Sequence, residues 1–429
     1  MLAVSILVCL ACIVAPTVAS DLVALADLAE SAPPELAADA LIKIADLTPD
    51  LKPKRAHLER AFQLAGAAKY SVNQVGAVPL AFDTDSDSGL IQASLTTGLD
   101  RLSLQSRVVK AMLAIDKKHA RDLLLEIPVL QIAPLTCKDA MRSAPDGLYE
   151  TVGAVIESGF TPKELAEGKP LQLAEDSLRG IGSPVQLLPS LKMIENAKLP
   201  TAGLNALITL WASAAARMSA DDHTFTSTTA ADTNAPLTAE VTNAADLCRS
   251  RGISDAALIA AFNAYLERHR NSSRCEETTA QVVLWWTKPA DKPILQALKD
   301  LRRQSKELTA PEWEAKAREF LGQLDRWHGD HDDSQASAFF QTSFAYYGLI
   351  DISPPGKFAD SVIESYVSFL SRSPAEVTNP PEWAMMVNRL IHQRQSSRAD
   401  KRSIQRVIGE RGDAVMTLLL RLDELTPAP

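Results

Sequence analysis

The chain has 429 residues, 46% of them hydrophobic and 23% charged, with 44 basic against 53 acidic side chains and a net charge of −9. Such a composition belongs to a folded globular protein with room for a sizeable core and two or three domains, and it excludes a disordered chain. The acidic balance excludes a chain built to neutralise nucleic-acid phosphates, so no nucleic-acid partner is expected; aromatics at only 5% argue against a long sugar-stacking groove.

Met1 to Ser20 carry no charged side chain. Leu2 to Val14 are apolar or small, Pro16 breaks the run, and Thr17-Val18-Ala19-Ser20 supply small residues before Asp21. This is the layout of a secretory signal peptide, with cleavage expected after Ala19 or Ser20, although Lys and Arg are missing from its start. The apolar core is shorter than the roughly 20 residues that span a bilayer. The expectation is an exported protein of the periplasm, outer envelope or extracellular space. Any membrane contact would run through this leader, were it retained. Cys9 and Cys12 lie within it, and the spacing before Cys12 lacks the Leu of a lipoprotein signal.

Beyond the leader the apolar residues recur with helical period. Leu36, Ala40, Leu41 and Ile44 share one face, as do Leu58, Phe62 and Ala65, then Val108, Met112 and Ile115, and then Leu258, Phe262 and Tyr265. No stretch alternates over five residues, so no strand is expected. Thr161-Pro162-Lys163-Glu164, Thr309-Ala310-Pro311-Glu312 and Asn379-Pro380-Pro381-Glu382 read as helix starts in which a capping side chain and a returning Glu satisfy orphan backbone donors. Trp follows two of these boxes, as Trp313 and Trp383, and is expected to pack inward. Helices of roughly 10–18 residues with short loops predict an all-α fold of antiparallel pairs stacked into a solenoid or superhelical array, without significant sheet.

The segment 219–238, rich in Thr, Asp, Ala and Ser, reads as a linker or long surface loop between an N-terminal helical domain, 21–218, and a C-terminal one, 239–429. Five of the six Trp residues fall between Trp285 and Trp383, so the second half is expected to build its core from bulkier side chains. Cys137, Cys248 and Cys275 remain outside the leader. The helix expected from Ser254 to Arg270 would span roughly 25 Å, whereas a disulfide needs Cα atoms within about 7 Å, so Cys248 and Cys275 are expected as buried, inert thiols.

Several clusters carry alternatives. His328, Asp330, His331 and Asp333 offer imidazole and carboxylate ligands suited to a divalent metal, or else form a polar inter-helix loop whose Asp residues cap the next helix. No other cofactor is expected. Asp83 to Gly89 resembles the start of a calcium loop, but Ser88 stands where the sharp turn needs Gly and Ser94 where a bidentate Glu belongs. Phe340, Phe344 and Tyr347 share a helix face beside Phe339 and Tyr346, and either line a groove for a partner or bury the helix between two layers. His392, Arg394, Arg398, Lys401, Arg402, Arg406 and Arg411 form a basic run, either a polyanion-binding surface or a solvated helix face. No nucleophile elbow, SxxK pair, phosphate loop or dinucleotide motif occurs. Carboxylate pairs brought together from distant helices cannot be read from sequence.

The stretch from Arg101 to Leu113, running on through Asp116-Lys117-Lys118-His119-Ala120-Arg121, resembles a segment of exported helical proteins of environmental bacteria, as do the Pro-Glu-Trp segments and Ser353-Pro354-Pro355-Gly356. The resemblance covers about half the chain. It implies an envelope location and a tetratricopeptide-like or HEAT-like array, and it brings no activity. The leading expectation is therefore a scaffold that binds a protein or peptide partner in the envelope. The alternatives are an αα enzyme acting on envelope glycan or peptide through paired carboxylates, and a metal-binding protein using the 328–333 loop.

Overall fold

The computed structural model describes residues 20–76, 97–136, 141–222, 224, 230–270, 293–305, 307–327, 335–373, 379–392 and 398–425, without the side chains of 230–235, 270, 335–337 and 398–401. The leader, the calcium-like loop at 83–89, Cys137, Cys275 and the loop holding His328, Asp330, His331 and Asp333 lie outside these residues. Among the described residues there are 19 helices and one two-stranded ribbon, the expected all-α architecture. None of the described helices is long and apolar enough to cross a membrane.

Two compact units divide the chain. Among the described residues the first holds 20–57 and 293–425, and the second holds 58–76 and 98–270. The expected linker is not their boundary: residues 222, 224 and 230–238 belong to the second unit. From Ala230 this stretch is already helix, and it continues through Pro236 to Ser250. Proline inside a helix removes a donor and crowds the preceding turn; burial of Leu237 and Val241 on the core side offsets that cost.

The second unit is built from α3 (Leu51–Ala65, whose last residues it contains), β1 (Gln74–Gly76), α4 (Arg101–Leu113), α5 (Lys117–Glu126), β2 (Met141–Ser143), α6 (Asp146–Ser158), α7 (Pro162–Ala166), α8 (Lys169–Arg179), α9 (Leu187–Asn196), α10 (Thr201–Arg217), α11 (Ala230–Ser250) and α12 (Ala256–Arg270). Its helices pack on the helix two places on: α4 on α6, α6 on α8, α8 on α10 and α10 on α12, with α9 against α6 and α11. That is the signature of a stacked array, each member covering its neighbour's apolar stripe. Leu104, Val108, Val109, Met112, Tyr149, Leu191, Leu207, Trp211, Leu258 and Tyr265 are buried in its core.

Local chemistry sets the helix ends. Asp100 and Asp116 cap α4 and α5, accepting from the backbone N–H groups of Ser103 and His119 at 2.9 and 3.0 Å. The Glu164 carboxylate accepts from both the N–H and hydroxyl of Thr161, at 2.8 and 2.9 Å, as the capping box predicts. It also accepts from Arg121 at 2.7 Å, while Arg121 donates to the Gly159 carbonyl and stacks over Phe160. One acid thus caps α7 and ties it to α5. At the end of α11, Gly252 adopts φ 70°, which lets the Ile253 N–H reach back to the Cys248 carbonyl at 2.9 Å.

The ribbon was not expected. β1 and β2 pair antiparallel, with Gln74 opposite Ser143, Val75 opposite Arg142 and Gly76 opposite Met141. Three residues per strand are too few to show an alternating pattern, so the sequence carries no signal for it.

The first unit contains α1 (residues 20–29), α2 (Pro34–Leu47) and the chain's last seven helices. These are α13 (Pro293–Gln304), α14 (Ala310–Leu324), α15 (Gln335–Ile352), α16 (Lys357–Arg372), α17 (Pro380–Ile391), α18 (Arg398–Arg411) and α19 (Ala414–Leu425). α13 packs on α15, α15 on α16, and α16 on α18. Gly348 permits the close approach of α15 to α13, since a Cβ there would meet Leu298 Cδ2 at 2.6 Å. α2 packs against α17 and α19, so the start of the chain completes a layer made by its end. The expected face of Leu36, Ala40, Leu41 and Ile44 is buried there.

Both Trp residues after the capping boxes are buried. Trp313 meets Phe358 edge-on at 5.8 Å, and the Trp383 indole N–H donates to the Leu370 carbonyl at 3.1 Å. The box before Trp383 differs from the expectation: Asn379 donates its side-chain amide to Glu382 at 2.9 Å. Trp383→Ala is expected to cost about 3–5 kcal/mol by leaving a core cavity, read as a lower denaturant midpoint. Trp383→Phe, which keeps a ring and removes the indole donor, should cost about 1 kcal/mol.

Candidate functional sites

The aromatic face of α15 divides into two. Phe339, Phe340 and Tyr346 are buried. Phe339 stacks on Phe369 at 5.8 Å and Tyr346 on Tyr366 at 5.3 Å, and the Tyr346 hydroxyl donates to Asp325 at 2.6 Å. These side chains hold α15 between its neighbours. Phe344 and Tyr347 are only half-buried, and Arg389 from α17 lies over both rings, 5.5 and 4.3 Å from the centroids. Of the three residues expected to share a partner-binding face, Phe340 is therefore core, while Phe344 and Tyr347 form a cation–π surface with an arginine that the sequence pattern did not connect to them.

The basic run near the end is less positive than its sequence. Arg406 pairs with Glu410 at 3.1 Å and stands 3.8 Å from Asp360, Arg411 pairs with Glu364 at 3.1 Å, and His392 Nε2 lies 3.3 Å from Asp423. Arg402 is exposed, Arg394 lies outside the described residues, and the side chains of Arg398 and Lys401 do as well. The neutralising acids come partly from α16 and α19, distant in sequence, and only Glu410 could have been matched to Arg406 by its spacing of four residues.

In the second unit, packing of α9 on α11 brings Glu195 together with Glu240. Burial, the Glu240 charge and a hydrogen bond with that carboxyl push Glu195 up to about 8, against an opposing pull from Lys192. Glu195 therefore keeps its proton at neutral pH. Cys248 on the same α11 is buried and free, and burial, followed by the negative charge of Asp255, pushes its thiol up despite Arg249. A protonated, enclosed thiol is a poor nucleophile. Among the described residues no group of three or more His, Cys, Asp or Glu side chains is placed to hold a metal ion.

The ribbon borders a cavity of about 160 Å³. Gln74, Arg142 and Ser143 form one side; the others come from the extended segment 132–135, from Ser183 and Val185 before α9, and from Thr224. Behind Ser183 and Thr224 lies a buried network. Asp222 accepts from the Ser183 hydroxyl at 3.2 Å and from the Thr224 hydroxyl and N–H at 2.5 and 3.0 Å. Gln186 accepts from the Gly182 and Ser183 N–H groups at 2.9 and 3.0 Å and donates to the Tyr149 hydroxyl at 3.1 Å.

The Glu195 shift has a signed consequence. Its folded value lies above its ordinary value of 4.5, so the stabilisation is complete below about 4.5 and is lost as pH rises through about 8. Thermal melting should fall between about pH 5 and pH 9 in the native protein, and by less in Glu195→Gln. Equal falls in both would remove Glu195 as the cause.

No protein-family model, curated protein or solved structure matches the chain.

Proposed function

We propose that the chain is an exported helical scaffold that binds a protein or peptide partner in the bacterial envelope. The reading joins the signal-like leader to the stacked helices, an architecture that presents extended surfaces to partners. It rests on one observation: Phe344 and Tyr347 stay half-exposed under the Arg389 guanidinium rather than joining Phe339, Phe340 and Tyr346 in the core. Tyr and Arg dominate the energetic centres of protein interfaces, because a rigid ring and a planar cation bury large area at small entropic cost. Full-length protein challenged with an immobilised library of envelope peptides should retain a defined set. Tyr347→Ala and Arg389→Ala should each weaken that retention about tenfold or more. Unchanged retention in both variants would refute the assignment of this surface.

A second reading, an αα enzyme acting on envelope glycan or peptide, is favoured by Glu195. A carboxyl pushed up to about 8 and hydrogen-bonded to a second carboxyl resembles a dyad sharing one proton, an arrangement that can act as acid and base in turn and that favours the peptide substrate. Glycan or peptide turnover that is present in the native protein and lost in both Glu195→Gln and Glu240→Gln would support it; no turnover by the native protein would dispose of it.

A further inference from the structure

The lining of the cavity beside the ribbon combines a cation with the Ser183 and Thr224 hydroxyls, and neither the aromatic surface nor the carboxyl pair explains it. Arg142 is the one charged residue among its lining side chains. It is half-buried, and among the described residues no carboxylate stands within ion-pair distance of it. Asp146 acts on it only as a nearby charge, and burial lowers its pKa. Its Nε is enclosed with no hydrogen-bond partner among the described residues. A guanidinium stays charged in proteins and presents up to five donors in a planar fork. An enclosed Nε–H gains from any acceptor that a bound molecule brings.

The facing chemistry is fixed by Asp222. The hydroxyls of Ser183 and Thr224 both donate to it, at 3.2 and 2.5 Å. Each hydroxyl oxygen keeps lone-pair capacity to accept. The cavity therefore offers cationic donors from Arg142 and acceptor oxygens from Ser183 and Thr224. Ile132, Leu135, Met141 and Val185 add apolar lining. At about 160 Å³ the space far exceeds the roughly 10–15 Å³ that one water needs. It is smaller than the roughly 300–1,000 Å³ of pockets that enclose drug-sized ligands.

We propose that this cavity binds a small aliphatic amino-carboxylate, its carboxylate on the Arg142 guanidinium and its nitrogen donating to the Ser183 and Thr224 hydroxyl oxygens. A free α-amino acid and the last residue of a peptide share this chemistry: each carries a carboxylate, an N–H on the adjacent carbon and a short apolar side chain. Arginine suits the carboxylate end because two parallel N–H donors match its two oxygens. The site goes beyond the partner-binding surface and does not depend on it, being built wholly from residues of the second unit.

Calorimetric titration of the full-length protein tests it with four probes: L-alanine, the dipeptide glycyl-L-alanine, propionate and L-alaninamide. Alanine or the dipeptide should bind, and propionate and alaninamide should each bind about tenfold or more weakly, the effect of losing one charge-assisted hydrogen bond. Preference for alanine identifies a free amino acid, and preference for the dipeptide identifies a chain terminus; either supports the site. Arg142→Gln should lose about tenfold or more in affinity, and Arg142→Lys, which keeps charge without the fork, should lose less. Without ligand, Arg142→Gln should melt no lower than the native protein, since no carboxylate among the described residues pairs with it. The proposal is overturned if no probe binds, if propionate binds as tightly as alanine, if Arg142→Gln keeps its affinity, or if that variant melts lower without ligand.

Discussion

Most of the described helices have an apolar stripe that another helix covers, and that constraint organises both units. Water will not solvate Leu104, Val108 and Met112 cheaply, so α4 needs α6; α6 in turn presents Tyr149 and Val155 to its neighbours, and the requirement passes along the chain. Short loops bring consecutive helices together, while the helix two places on lies in register to cover the stripe. Stacking is thus the cheapest answer to a chain of amphipathic segments, and no extended sheet is needed. The ribbon of β1 and β2 survives only as a local pairing of two loop segments.

Polar groups refine this apolar order by resisting burial unless paired. The Trp383 indole reaches the Leu370 carbonyl, and the Trp211 indole in the other unit reaches that of Leu187 at 3.0 Å. In each case a large ring enters the core with its one donor satisfied. Tyr149, Gln186, Ser183, Asp222 and Thr224 extend the same logic to a network that holds a carboxylate away from water. Arg142, Glu195 and Arg389 stand apart from these settled arrangements. The first lacks an acceptor for Nε among the described residues, the second keeps a proton, and the third covers aromatic rings that remain in reach of solvent.

Fold class was legible because helical spacing is local: Leu36 through Ile44, Leu58 through Ala65 and Leu258 through Tyr265 announce the faces they bury. The capping boxes at Thr161 and Thr309 were legible for the same reason. What failed depends on contacts between distant residues. The Thr- and Asp-rich stretch looked like a boundary, yet from Ala230 it is helix, because Leu237 and Val241 find a core that composition does not reveal. The basic run left open a polyanion surface or a solvated face, and its pairing with Asp360, Glu364 and Asp423 from other helices was not legible in it. Nothing in the sequence could link Arg389 to Tyr347, Glu195 to Glu240 or Arg142 to Thr224. Each pair is created by packing.

The return of α2 to α17 and α19 has a consequence for biogenesis. During synthesis the helices of the second unit from α4 to α12 emerge one after another and can assemble from near-neighbour contacts as they appear. The first unit cannot: α2 leaves the ribosome early and must keep its Leu36 and Ile44 face uncovered until α19, between Ala414 and Leu425, has been made. Contacts so far apart in sequence form slowly even when their entropic cost grows only logarithmically with the intervening length. A nascent chain stalled before α19 would leave the apolar strip of α2 open to aggregation.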